Sequence, residues 1–291
     1  MLEVKEYAKF DRSKLYKQLI VNNAVVYRGL TKSWPATKQW TPDYFKETCP
    51  EVEVTIKYFT QSEVRTENST MLDYVNKFQR YKSNDSSVGM DNIPYCHDIP
   101  IFLQSQKLIR DVNPFPSSVL PVFYRQNWWK FVQFFMSPAG AVTPLHFDTL
   151  RTNNLFFQIK GCKKFTLIPW DERELCSRKG WRWFNYDPEK KEHSSSPDYS
   201  SINTTTVEVH EGDVLVMPAG MLHHVRSLTD CVSFNIDFHT HHSVLKSFKR
   251  PKDKMPIENY YYNWLCFRGL FLKMGHEHFF SKYKPYLNYI S

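Results

Sequence analysis

From residue 131 to residue 238 the chain is a close succession of short apolar and alternating runs broken by glycine, aspartate or proline. Strands packed that tightly along a chain leave few folds open, because each must bury one face against a neighbouring sheet. Phe131 to Met136, Leu155 to Ile159, Lys163 to Ile168, Val207 to Val209, Val214 to Met217, Leu222 to Leu228 and Val232 to Phe238 all read as strands. Leu155 to Ile159 and Lys163 to Ile168 flank Gly161-Cys162, a hairpin signal. The expectation is a mainly β fold with helical flanks, a closed sandwich or barrel such as a double-stranded jelly roll. Aromatic residues make up 16% of the chain, with 22 Phe and 17 Tyr, which suits pleated surfaces.

The flanks read differently. Ala24 to Leu30 and Val52 to Phe59 are strand candidates, and Leu72 to Tyr81 and Ile101 to Ile109 look helical. Thr41-Pro42 opens a helix, with Thr41 as cap and proline in the first turn. Ser177 to Asn203 is a polar insertion over the core. Residues beyond Ser243 suit helices. The division expected is an N-terminal mixed α/β region (1–120), a jelly-roll core (121–242) and a C-terminal helical extension (243–291). Tyr260 to Phe280 packs on the chain's own barrel or serves as a homodimer element.

The formal charge of +8 is spread along the chain rather than gathered into a binding tract. The cysteines include no C-x-x-C pair, so free thiols in a reducing compartment are expected. The first residues carry acid and no secretory apolar core, and no apolar run reaches membrane-spanning length. A cytoplasmic or nuclear protein without membrane association is expected.

The chemistry concentrates in three segments. His146 and Asp148 are two apart, so on a strand they face the same way. Glu211 to His224 supplies a third ligand after a tight turn. Of its two adjacent histidines, His223 shares a face with the apolar Met221 and Val225, whereas His224 sides with Arg226, so His223 is the inward ligand. Two imidazoles and a carboxylate form a three-point set for iron(II), with positions left for O2 and a cosubstrate; zinc is the rival metal. Lys163 shares the core-like face of Phe165 and Leu167, and a core lysine needs an anion. Ser233, Asn235 and Asp237 form the polar face of the last strand, suited to a wet cavity. His239, His241 and His242 read as a polar strand end.

These segments resemble the JmjC-type, cupin-fold 2-oxoglutarate/iron(II) oxygenases. Thr143-Pro144-x-His146-x-Asp148, Asn154-x-x-x-Gln158-x-x-Gly161-x-Lys163 and Gly212-Asp213 to His223-His224 occur in the family's order. Arg28 to Ala36 and Trp40 to Phe45 are similar to the small asparaginyl-hydroxylase-like group. The resemblance implies a JmjC domain over about residues 100–250. It implies Fe(2+) on His146, Asp148 and His223. Lys163 and Thr143 would hold the distal carboxylate of 2-oxoglutarate, with Asn154, Asn235 and Gln104 as further pocket residues. Asn154 follows two extra residues, so Thr152 or Asn153 are alternatives in its role. Asp237 stands where an asparagine is common, and a carboxylate there would repel the cosubstrate unless neutralised.

The implied reaction couples decarboxylation of 2-oxoglutarate, giving succinate and CO2, to hydroxylation of a protein or peptide side chain. Alternatives are hydroxylation of a modified tRNA base, with the positive charge meeting RNA phosphates, N-methyl-lysine demethylation, and a non-catalytic cupin that binds a partner.

Overall fold

Side-chain alternation settles the packing in the computed structural model, which describes residues 3–60, 63–83, 93–190, 199, 201–248 and 255–289. The first strands are β1 (Val4–Tyr7), β2 (Ala24–Tyr27), β3 (Glu53–Phe59), β4 (Val64–Thr70), β5 (Tyr95–Ile99) and β6 (Val132–Ser137). Then come β7 (Val142–His146), β8 (Asn153–Lys160), β9 (Cys162–Ile168), β10 (Arg178–Lys179) and β11 (Trp183–Phe184). The last are β12 (Thr205–His210), β13 (Val214–Met217), β14 (Leu222–Ser227) and β15 (Cys231–Phe238). They form a nine-stranded sheet, β1-β2-β13-β8-β15-β6-β5-β3-β4, and a six-stranded sheet, β10-β11-β7-β14-β9-β12. The two sheets face each other as a jelly-roll sandwich, since Phe156, Leu215 and Met217 of the larger pack against Phe165, Leu167 and Val225 of the smaller.

On β15, Val232, Phe234, Ile236 and Phe238 point to the outer core, while Asn235 and Asp237 line the interior cavity. The outer face of the large sheet is covered by helices. Helix α1 (Arg12–Ile20), α2 (Pro35–Gln39) and α3 (Pro42–Thr48) come from the N-terminal third. Thr41 caps α3 as expected, its side chain accepting from the Tyr44 N–H. The stretch expected to be helical near residue 75 is α4 (Met71–Lys82). The next one is broken: α5 (Ile101–Gln104) stops where Ser105 leaves helical geometry, and a 3₁₀ stretch follows over Gln106–Val112. After α6 (Val122–Arg125), the C-terminal elements are α7 (His241–Phe248), α8 (Ile257–Phe271) and α9 (His276–Tyr289). Phe279, Phe280, Tyr283, Tyr286 and Leu287 of α9 are buried in the same core as β6 and β15. On α8, Trp264, Phe271 and Leu272 beyond its end stay exposed.

Two expectations are corrected. Gly161 does not close a hairpin: β8 belongs to the large sheet and β9 to the small one, and the two do not pair. The turn is a corner between sheets. Its physical reason is that β8 is already flanked by β13 and β15, leaving no edge for β9. The polar insertion is also more than a cover. It supplies β10 and β11, and β11 pairs with β7 at the edge of the small sheet. Its residues 191–198 and 200 lie outside the described residues.

At the corner Gly161 has φ +76°, and a Cβ there would sit 2.0 Å from the Asp230 carbonyl oxygen. Gly161→Ala is therefore expected to lower unfolding free energy by about 2–4 kcal/mol in denaturant titration, combining backbone strain with displacement of the neighbouring turn.

His239 at the end of β15 is fully buried, with Nδ1 at 3.1 Å from Ser243 Oγ and Nε2 at 2.8 Å from Asn263 Oδ1. Burial pulls its pKa down to about 4, against the opposing hydrogen bond to Asn263. Unfolded, the ring would take a proton near pH 6.5, so across that window the unfolded chain binds more protons and stability falls as pH drops. In His239→Gln the slope of unfolding free energy against pH between about 6.5 and 4 should be shallower by about 1.4 kcal/mol per pH unit.

Candidate metal centre and cosubstrate pocket

A β-bulge aims the metal ligands. His146 pairs with His223, and Thr143 pairs with Val225, so three steps on β7 match two on β14. The extra residue falls at Pro144-Leu145, where proline lacks the N–H a regular ladder would need. The bulge turns both Thr143 and His146 into the cavity, and Asp148 follows two residues later on the same side. Ligand atoms of His146, Asp148 and His223 all lie within 4.8 Å of one another. His223 Nε2 is 3.7 Å from Asp148 Oδ1, a gap for an ion rather than a hydrogen bond.

The imidazoles are oriented by backbone. His146 Nδ1 is 2.8 Å from the Pro144 carbonyl oxygen, and His223 Nδ1 is 3.1 Å from that of Met221. Each Nδ1 donates there, which leaves each Nε2 lone pair facing the other ligands. Burial, then the His223 and Arg182 charges, hold the His146 pKa well below its ordinary value, so it stays neutral as a ligand must. His224 points away from the cavity, its Nε2 3.9 Å from Asp187. The donor set fits iron(II) and leaves coordination positions open.

Lys163 comes from β9 on the same inner face and is 1% exposed. Its ammonium donates to the Tyr95 hydroxyl at 2.8 Å and the Ser233 hydroxyl at 3.1 Å. The rings of Tyr95, Phe135 and Phe156 surround it at 5.2–5.4 Å. Among the described residues no carboxylate lies within ion-pair distance of it. A buried ammonium without a counter-ion is costly, so this one is arranged for an anionic ligand.

Sequence reasoning missed a second polar wall. A bulge between Cys96 and Ile99, with Asp98 at φ +62°, turns His97 and Asp98 together into the cavity. Lys57 of β3 donates to Asp98 Oδ2 at 2.9 Å, and His97 Nδ1 lies 2.8 Å from the same oxygen. Burial would raise the Asp98 pKa, but the neighbouring His97 and Lys57 outweigh it and hold it well below the usual range. Burial brings His97 down to about 4, hence neutral. Tyr95, Gln133 and Tyr286 also line the cavity and went unflagged. Only the alternating pattern of β3 and the pair His97-Asp98 hinted at this wall, and the bulge hides the pattern.

The other expected residues divide. Thr143, Asn154 and Asn235 line the cavity. Thr152 and Asn153 do not line it; Asn153 instead ties β8 to Phe238 and Ser243. Gln104 is a correction. It is exposed and lies outside the cavity, where its amide clamps both the N–H and the carbonyl of Glu53 at 2.8 and 2.9 Å. Its placement follows from the early end of α5. Asp237 is no free anion: Oδ1 accepts from Asn154 Nδ2 at 3.0 Å and Asn235 Nδ2 at 3.1 Å. Burial above all, then the Asp148 charge, pushes its pKa well above the carboxylate range and favours the neutral acid. The expected repulsion of a dicarboxylate is thereby relieved.

The insertion closes the metal side. Trp183 pairs with His146, its ring 4.9 Å from the imidazole. The Phe147 N–H donates to the Arg182 carbonyl at 3.2 Å, and Trp181 Nε1 donates to the Thr149 carbonyl at 2.8 Å.

Fold and site define a class: a jelly-roll oxygenase scaffold with a two-histidine, one-carboxylate metal set. The match of a cupin-like domain model to residues 14–243 then assigns the chain, which belongs to that family. Human bifunctional peptidase and (3S)-lysyl hydroxylase JMJD7 is 22% identical, the alignment covering 80% of this chain and 83% of the relative. Human 2-oxoglutarate and iron-dependent oxygenase JMJD4 is 24% identical, covering 79% and 58%. Lysine-specific demethylase 8 of Xenopus tropicalis is 24% identical, covering 76% and 48%, so the chain spans about half the length of these last two. Among the described residues no helix is long and apolar enough to cross a membrane.

If the three residues hold the ion, Mn(II) as a probe at about 100 times its Kd should stabilise the protein by about 2.7 kcal/mol, read as a rise in Tm. Asp148→Ala and His223→Ala should abolish that rise, and His224→Ala should keep it.

Proposed function

We propose that this chain is an Fe(II)- and 2-oxoglutarate-dependent oxygenase that hydroxylates a side chain of a protein or peptide, with succinate and CO2 as coproducts. The observation that carries the reading is Lys163: a buried ammonium without a carboxylate partner among the described residues, in the same cavity as His146, Asp148 and His223. The names of the relatives support it, since they describe oxygenases that use iron and 2-oxoglutarate and a lysyl hydroxylase.

Bound iron(II) would supply activation of O2, with 2-oxoglutarate as the two-electron reductant. The chain's own residues do the rest. His146, Asp148 and His223 would hold the ion. Lys163, with Tyr95 and Ser233, receives the distal carboxylate of the cosubstrate and fixes its length relative to the metal ligands. Thr143 and Asn235 line the space between. The Trp183 ring packs beside His146 at 4.9 Å and against Phe59 at 6.1 Å, covering the ligand from that side.

The direct test is mass spectrometry of a cell extract incubated with the protein, Fe(II), ascorbate and 2-oxoglutarate. A gain of one oxygen on a protein, with matching succinate, is expected; oxygen gained by an RNA base instead would overturn the substrate class. Lys163→Met should raise the KM for 2-oxoglutarate by about 100-fold, corresponding to loss of a buried charge-assisted contact, while Mn(II) binding persists.

A further inference from the structure

Arg182 lines the metal cavity with a single side-chain hydrogen bond among the described residues. Its backbone accepts from Phe147 and adjoins the pairing of Trp183 with His146, so the side chain projects beside the ligand segment. The half-buried guanidinium lines the cavity, lies 4.7 Å over the Trp183 ring and donates once, from Nη1 to Thr149 Oγ1 at 2.7 Å. Among the described residues no carboxylate lies within ion-pair distance of it. The carboxylates that share the cavity are engaged elsewhere: Asp98 with Lys57 and His97, Asp237 with Asn154 and Asn235, and Asp148 in the metal set.

A second, independent observation concerns α9. Tyr286 is 1% exposed, lines the same cavity, and its hydroxyl has no hydrogen-bond partner. A buried hydroxyl left unpaired is costly, a cost that a ligand oxygen relieves. Lys163 takes the cosubstrate's distal carboxylate between Tyr95 and Ser233, so the guanidinium and this hydroxyl remain for a different acceptor.

We propose that Arg182, helped by the Tyr286 hydroxyl, binds a substrate carboxylate, so that the chain acts on peptides presenting an aspartate or glutamate at or beside the oxidised residue. The inference rests on the hydroxylase reading and names its substrate class. The planar, forked guanidinium suits a carboxylate. The +8 charge favours approach of an acidic partner. A nucleic-acid strand would call for several uncommitted cations along the entrance. The neighbouring basic residues are committed: Arg178 donates to the Trp181 carbonyl, and Lys164 and Arg226 pair with Glu189.

The test is selection of a random peptide library on immobilised protein loaded with Mn(II) and N-oxalylglycine, an inert 2-oxoglutarate analogue. Enrichment of Asp and Glu over Asn and Gln by about 10-fold or more is expected, the scale of one charge-assisted contact. Arg182→Gln should lose it, Arg182→Lys should keep part, and Tyr286→Phe, which removes only the hydroxyl, should weaken it several-fold. Absence of acidic enrichment, or enrichment unchanged in Arg182→Gln, overturns the proposal. So does loss of 2-oxoglutarate affinity in Arg182→Gln, which would assign the guanidinium to the cosubstrate, or displacement of the selected peptides by RNA in an Arg182-dependent way. Acidic peptides that bind through Arg182 but gain no oxygen with Fe(II) and 2-oxoglutarate would keep the carboxylate-binding role of Arg182 and remove the hydroxylase reading.

Discussion

The antiparallel register of β7 against β14 sets His146 across from His223, and the chemistry of the molecule hangs from that pairing. A one-residue slip would send one imidazole to the outer face. Several devices hold the register. Apolar side chains fill the inner face on one side of the ligands, through Phe165, Met221 and Val225. Leu145, Phe147, Ile168 and Leu222 bury the outer face beneath the insertion. The bulge at Pro144 then makes a local exception that brings Thr143 and His146 to one side. A sheet with a regular ladder throughout could offer only one of them.

The interior of this sandwich is unusually charged, and the charges are sorted by position. Lys57, His97 and Asp98 satisfy one another on the wall made by β3 and β5. Asp237 is quieted by two amides and by burial. Lys163 and Arg182, at separate places in the cavity, have hydroxyl partners but no anion among the described residues. A closed hydrocarbon core would not tolerate that arrangement, whereas a cavity that receives anions at two places does.

Much of this was legible because strands write their two faces alternately. His223 over His224, Lys163 over Lys164, and the polar face Ser233-Asn235-Asp237 all followed from a period of two, and the structure places them accordingly. What stayed hidden breaks that period or depends on distance along the chain. The bulge at His97-Asp98 presents adjacent residues on one side, which no periodic reading anticipates. Gly161 looked like a hairpin because local turn chemistry is silent about which sheet the next strand joins. Gln104 was matched by likeness alone, and the early end of α5 put it on Glu53. Arg182 and Trp183 sit in a polar stretch without a motif, and Tyr286 reaches the cavity from a helix whose sequence speaks only of aromatic packing.

The cavity draws its walls from Lys57-bound Asp98, about a third of the way along the chain, and from Tyr286 of its last helix. Joining parts so far apart in sequence closes a long loop, a cost the pocket shares with the pairing of β2 and β13. Synthesis from the N-terminus makes α9 after every metal ligand, so the wall that Tyr286 supplies is the last part of the pocket to be made.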